Sequence, residues 1–316
     1  MGVFGSTLSQ MAFLFSLIVL GYILVKSKIL PENSAGILSK LESWLFVPAL
    51  VLGTFLSKFT VSILATAGKL VLFSSAMMVF LVPLSIFLPR LLAKGDSYKQ
   101  KIFTYGLAFA NFGFMGNAVV EALYPEIFFE YLVFVIPFWI LIYVWAVPVL
   151  LISGDEKKQT IAARLKSFLN PMFICMILGM IIGLSGIKLP AWTLNVINTC
   201  GDCMSPIAML LTGMTVATMS MRRILSDVSI YVLTVIRLLL IPLAAIAIFF
   251  LLDLPQTYFV CAVCAVSMPL GLNTIVIPAA YGKDTTSAAG MALISHLASC
   301  LTIPLIFWLM EIVLTH

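Results

Sequence analysis

Ten apolar stretches, each long enough to cross about 30 Å of hydrocarbon, follow one another from one end of this chain to the other. They lie at approximately 7 to 25, 41 to 57, 67 to 89, 102 to 123, 127 to 152, 168 to 186, 196 to 218, 228 to 252, 256 to 281 and 286 to 311. The connections between them are short and polar or charged, with no room for a soluble domain. Inside a bilayer each backbone amide and carbonyl must be satisfied without water, which leaves helices as the spanning element for stretches of this length. The expected fold class is therefore an all-α integral membrane protein of ten transmembrane helices. Composition excludes the alternative: 62% hydrophobic and 10% charged residues cannot describe a soluble globule, where charged residues approach a quarter. The first stretch has no basic region ahead of it and no small-residue cleavage site, so it is read as a retained helix.

Charge supplies the orientation, because lysines and arginines gather on the cytoplasmic ends of spans. With the N-terminus outside, the inner connections hold Lys26, Lys28, Lys40, Arg90, Lys94, Lys99, Lys101, Lys157, Lys158, Arg164, Lys166, Arg222, Arg223 and Lys283, fourteen of the 18. Lys58, Lys69 and Lys188 fall outside, and Arg237 lies within a stretch. Both termini are thus expected outside the cell (inner) membrane. The net charge of +5 then reflects anchoring beside anionic lipid headgroups, and no nucleic-acid partner is expected.

Five spans per half is an odd number, so two homologous halves would insert in opposite orientations. Landmarks recur in order. Gly21 followed by Pro31 parallels Gly179 followed by Pro190, Pro48 parallels Pro206, and Pro83 parallels Pro242. The spacing from Asn117 to Tyr124 and on to Pro148 parallels that from Asn273 to Tyr281 and on to Pro304. The expected organisation is a first five-helix repeat over 1–152, a cytoplasmic linker over 153–167, and a second, inverted repeat over 168–316.

Corresponding stretches of the two halves, the fourth and the ninth, are interrupted. One carries Asn111-Phe112-Gly113-Phe114-Met115-Gly116-Asn117, the other Ser267-Met268-Pro269-Leu270-Gly271-Leu272-Asn273. Paired interruptions of this kind mark a transporter's binding site. An unwound backbone survives at bilayer depth only against protein or a wet cavity, so the two breaks are expected to cross. Half-helix N-termini then offer free amides and a positive dipole end to an anion. Asn111, Asn117 and Asn273 add neutral donors and acceptors without the desolvation cost of a buried charge. The candidate substrate-binding residues are accordingly Asn111, Gly113, Gly116, Asn117, Pro269, Gly271 and Asn273, and the cargo a small carboxylate. The competing reading is that Gly113, Gly116 and Gly271 merely let helices pack closely.

Along its whole length the chain resembles the auxin efflux carriers, which include plant carriers of the PIN type and bacterial malate or malonate permeases. The likeness is carried by Asn111, Met115-Gly116 and Tyr124 at the first break, and by Met268-Pro269 with Asn273 at the second. Ala110 and Ala118 stand where prolines commonly flank the family's first crossover. The resemblance implies a bile-acid-symporter-like fold with crossed broken helices 4 and 9. It also implies a scaffold of helices 1, 2, 6 and 7, a transport unit of helices 3–5 and 8–10 moving in elevator fashion, and a homodimer built through the scaffold.

Ionisable residues at bilayer depth are functional candidates. Arg237 can attract an organic anion or, alternatively, snorkel or pair structurally. His296 can carry a coupled proton or stand as a neutral hydrogen-bonded histidine. Glu121, near the outer end of the fourth stretch, and Asp202, near that of the seventh, suit a vestibule. Cys200 with Cys203 and Cys261 with Cys264 have Cys-x-x-Cys spacing, but no histidine is near in sequence, so no metal site and no cofactor are expected. No phosphate-binding loop is present, which points to secondary transport. Two alternatives stay open: a sodium-coupled organic-anion symporter of the bile-acid type, and an intramembrane enzyme using Glu121 and His296. No catalytic residue is otherwise assigned.

Overall fold

The computed structural model describes residues 3–151, 171–218, 227–252, 254–271, 273–280 and 283–315. The expected linker at 153–167, with its four basic residues, lies outside these, as do Arg222, Arg223, Leu272 and Tyr281. The chain is helical throughout, with no strand among the described residues.

Six helical runs are long and apolar enough to cross a membrane: Ser34–Lys58, Leu64–Leu92, Phe128–Leu151, Ala191–Ala217, Val228–Leu252 and Thr286–Thr315. The other four expected stretches are helical too. The first is α1, Val3–Lys26. The sixth is the 15-residue helix Pro171–Ser185. The fourth divides into Ser97–Ala108 and Asn117–Leu123, and the ninth into Gln256–Ser267 and Asn273–Ala280. We number the α-helices in chain order. After α1 come α2 (Ser34–Leu41), α3 (Val47–Lys58), α4 (Leu64–Leu92), α5 (Ser97–Ala108), α6 (Asn117–Leu123), α7 (Phe128–Phe134) and α8 (Ile136–Leu141). The second half contributes α9 (Pro171–Ser185), α10 (Ala191–Asp202), α11 (Met204–Ala217), α12 (Val228–Val235), α13 (Ile241–Leu252), α14 (Gln256–Ser267), α15 (Asn273–Ala280) and α16 (Thr286–Thr315).

Several runs are not uniformly α-helical. Five-residue π-turns join α2 to α3 (Glu42–Phe46) and α12 to α13 (Ile236–Leu240), and each ends two residues before a proline, Pro48 or Pro242. A proline has no amide for the carbonyl four residues back, so the hydrogen-bond register slips by one. The amide of Val47 accordingly reaches the carbonyl of Glu42, and that of Ile241 the carbonyl of Ile236. Each slip rotates the face that the following side chains present.

Two seams bring backbones together. At α1 against α11, a Cβ on Gly21 would collide with the carbonyl of Leu210, and one on Gly213 with that of Ile18. At α9 against α3, a Cβ on Gly179 or Gly183 would strike Phe55 or the carbonyl of Phe59. Small residues permit such approach where no hydrophobic force drives helices together. In α14 every side chain from Phe259 to Ser267 is enclosed. By contrast Phe80 on α4 is 79% exposed and Leu251 on α13 is 78% exposed, as a lipid-facing surface requires.

At the end of α5 distant from the break, Asp227 caps α12 and forms an ion pair with Lys99. Burial pushes the Asp227 carboxyl up, but the hydrogen bonds from Lys99 and Ser229 and the Lys99 charge together hold it below the usual carboxylate range. The helix carrying Arg237 is thereby tied to the first broken helix.

Candidate functional site

The two breaks meet. Ala110 and Leu270 form an isolated antiparallel bridge, and the amide of Asn111 donates to the carbonyl of Pro269 at 2.7 Å. Each unwound segment thus satisfies the other at a depth where water is scarce.

The second break follows from its own residues. Met268, held extended ahead of Pro269 (φ −73°, ψ 150°), ends α14, because the pre-proline position disfavours helix. The amide of Leu270 is taken by the Ser295 hydroxyl at 3.1 Å. Gly271 passes so close to the first break that a Cβ would lie 3.3 Å from the Ala110 carbonyl oxygen. Asn273 opens α15 and donates from Nδ2 to the Tyr105 hydroxyl on α5 at 3.2 Å.

The first break contains no proline. The backbone is extended at Phe109, then turns through a π-turn, Phe112–Gly116, in which the Gly116 amide reaches the Asn111 carbonyl at 2.9 Å. The carbonyl of Leu107, near the end of α5, accepts from Arg237 Nη1 at 2.8 Å. Arg237 is 0% exposed, and its Nε and Nη2 have no partner. It caps the negative end of α5 and holds two further donors unspent. Snorkelling to an interface, one of its sequence readings, is thereby excluded.

Asn111 points its Nδ2 at His296 Nε2, 3.3 Å away, while His296 Nδ1 meets the Ala292 carbonyl at 2.7 Å. Both side chains are buried. Asn117 is buried at the start of α6, and its Oδ1 has no partner. The glycines serve the crossing itself. A Cβ on Gly113 would enter the Trp139 ring, and one on Gly116 would meet the Tyr131 hydroxyl, which donates to the Phe112 carbonyl at 3.0 Å. Gly113, Gly116 and Gly271 each permit an approach that a Cβ would obstruct, while the three asparagines and Arg237 bring polar side chains to the crossing.

The sequence profile of the membrane transport protein family matches residues 6–307, nearly the whole chain. The chain belongs to this family, the auxin efflux carriers. Comparison with curated proteins gives no match. As an auxin efflux carrier family member it is an integral, multi-pass membrane protein and a membrane transporter.

Glu121 stands apart from the crossing. It lines a cavity of about 240 Å³ with Asp202, Asn198 and Lys58, between α3, α10 and the connection from α6 to α7. His296 is not in that lining and lies instead against Asn111 and the Ala292 carbonyl. The six cysteines are free thiols, and Cys261 and Cys264 are buried filler in α14. Among the described residues no group of three or more histidine, cysteine or acidic side chains can hold a metal.

Sequence reasoning missed Glu42. It is 0% exposed, and both carboxyl oxygens lack a partner. Placed one residue inside the expected second stretch and two after Lys40, it reads as an interfacial charge. The helical run in fact begins at Ser34, which carries Glu42 well inside it. Ser295, Tyr105 and Tyr131, which hold the breaks, were likewise missed, since a lone hydroxyl in an apolar stretch carries no sequence signal of its partner.

Proposed function

We propose that this family member is a secondary carrier moving a small organic anion, a carboxylate of the auxin-like or malate-like kind, by alternating access at the crossing. The observation carrying this reading is the junction itself. Two broken helices hydrogen-bond through their unwound backbones, and the fully buried Arg237 beside them keeps two donors unpaired. An unpaired buried cation is costly, and an anionic cargo is the natural complement.

We read the ten helices as two inverted five-helix repeats working as an elevator, with scaffold helices 1, 2, 6 and 7 and a transport unit of helices 3–5 and 8–10. Support comes from the glycine seams. Gly21 serves the packing of the first span on the seventh, and its counterpart Gly179 the packing of the sixth on the second, the exchange an inverted duplication requires. The cavity at Glu121 lies where scaffold and transport unit would slide past each other. A homodimer through the scaffold is consistent with exposed Trp44, Trp192 and Val196. The basic inner connections favour the cell (inner) membrane with both termini outside.

Binding of indole-3-acetate and malate to purified protein, followed by thermal shift, tests the site. Asn111→Ala and Asn273→Ala are expected to weaken binding about tenfold, as loss of a buried charge-assisted hydrogen bond does, while leaving membrane insertion intact. Unchanged affinity in both variants would remove the crossing as the site. Vesicle uptake with and without a sodium gradient separates the bile-acid type of coupling. The unpaired Asn117 Oδ1, an acceptor suited to a cation, is the observation on its side.

A further inference from the structure

The pairing of Asn111 with His296 has a direction. The Ala292 carbonyl can only accept, so His296 Nδ1 carries a proton and donates to it. In the neutral ring Nε2 is then a bare acceptor, and the atom facing it, Asn111 Nδ2, is the donor. The Asn111 amide is therefore locked with its nitrogen toward the ring. Its oxygen, the branch turned away, is what the residue offers to anything bound at the crossing. An acceptor there suits an anion poorly.

A proton on Nε2 reverses this. The imidazolium donates from both nitrogens and can no longer receive a hydrogen bond, so the amide must rotate to give its oxygen to the ring. Rotation of an asparagine amide between two roughly equivalent orientations is cheap, because that torsion is broad and nearly two-fold. The nitrogen then faces outward as a donor. We propose that His296 and Asn111 form a proton-operated amide switch, in which one proton taken from water by His296 Nε2 turns Asn111 from an acceptor into a donor and so couples proton uptake to anion binding. The inference rests on the carrier reading above and assigns its coupling ion.

The charges around the ring support the coupling. Of the elements packed along α16, the π-turn at Ile236–Leu240 brings Arg237, and α5 brings Tyr105 with Tyr98, Lys99 and Lys101 at its far end. Tyr258, Cys261 and Cys264 come from α14, Tyr231 from α12, and Tyr22 and Lys26 from α1, while α13 and α15 bring no titratable group. The only carboxylates on these elements are the N-caps Asp96 of α5 and Asp227 of α12, at the end of α5 distant from the break, where Asp227 is paired with Lys99. On α16 itself the other titratable groups are Cys300 and Glu311, the acid some 22 Å along the helix at 1.5 Å per residue. The counter-charge for an imidazolium must come with the cargo. Anion and proton then enter as a neutral pair, each raising the affinity for the other by the same factor.

The chain has two histidines, His296 and His316. A His316→Gln protein labelled with 15N-histidine therefore reports one ring by NMR. The expected result is a neutral Nδ1–H tautomer in the empty protein at pH 7, converting to imidazolium when indole-3-acetate or malate saturates it. Between pH 6.5 and 8, where carboxylates are ionised, affinity for the probe should fall about tenfold per unit of rising pH, the signature of one proton bound per anion. Calorimetry in two buffers of different ionisation enthalpy should count that proton directly. In His296→Gln the affinity becomes independent of pH. A ring that stays neutral with probe bound, a proton found on Nε2 in the empty protein, or a pH slope that survives in His296→Gln overturns the switch. Failure of both probes to bind would instead overturn the carrier reading on which the switch depends.

Discussion

The two breaks reach the same crossing by different routes. At the second, Pro269 withholds an amide from α14 and forces Met268 extended, so the interruption arises wherever this segment is placed in a helix. At the first, no proline intervenes, and the residues from Phe109 to Gly116 could continue as helix at modest cost. Their interruption is imposed from outside, by Arg237 on the Leu107 carbonyl, by His296 on the Asn111 side chain and by the Pro269 carbonyl on the Asn111 amide. One break is written locally and the other is held by its neighbours. The held break is the one whose geometry depends on groups outside its own segment.

This contrast can be attacked from either side. The largest effect is expected from Arg237→Gln, which removes both the charged cap of α5 and the two unspent donors. Anion transport should fall at least about tenfold, more than binding of an uncharged analogue falls, consistent with about 1.5–3 kcal/mol for a charge-assisted bond. Equal losses for both ligands would reduce Arg237 to a structural cap. A smaller change is expected from Ser295→Ala, which strips the Leu270 amide of its partner. A buried orphan donor costs about 1–3 kcal/mol, so the melting temperature should drop by a few degrees. Because Pro269 still breaks the helix, hydrogen exchange at the first break should stay near its wild-type rate. Rapid exchange there would show that the first break leans wholly on the second.

The smallest effect concerns the Lys99–Asp227 tie at the far end of α5. The carboxyl is held below its unfolded value, so its stabilisation is fully present above about pH 4 and is lost as pH falls through the still lower folded value. Asp227→Asn should therefore change the melting temperature by a degree or so at pH 7 and by progressively less as the pH falls below about 4. A difference persisting in acid would mean that the cap of α12, rather than the ion pair, is what the residue supplies.

How much of this was legible beforehand follows from the same contrast. The all-helical, multi-pass character and the second break could be read directly, since apolar length and Pro269 act locally. The position of the first break could be read from its glycines and asparagines, but their division of labour could not. Gly113 and Gly116 make room for Trp139 and Tyr131, and those contacts appear only once distant segments are assembled. The orientations of Arg237 and Glu42 were obscured for a further reason. Both residues sit in π-turns upstream of a proline, where the usual periodicity of 3.6 residues no longer tells which way a side chain points. The long-range pairs, Asn111 with His296 and Asn273 with Tyr105, join residues more than 160 positions apart and leave no trace in either neighbourhood.

The glycine seams carry one consequence of their own. Where the main chains of α1 and α11 are in contact at Gly21 and Gly213, a slip of one helical turn along the axis would bring a side chain such as Leu17 or Val25 to the place of Gly21, against a carbonyl oxygen. Such joints behave as keyed splines: they transmit force without slipping. Any relative motion of these helices must therefore be taken up elsewhere than at the keyed seams, which hold their register.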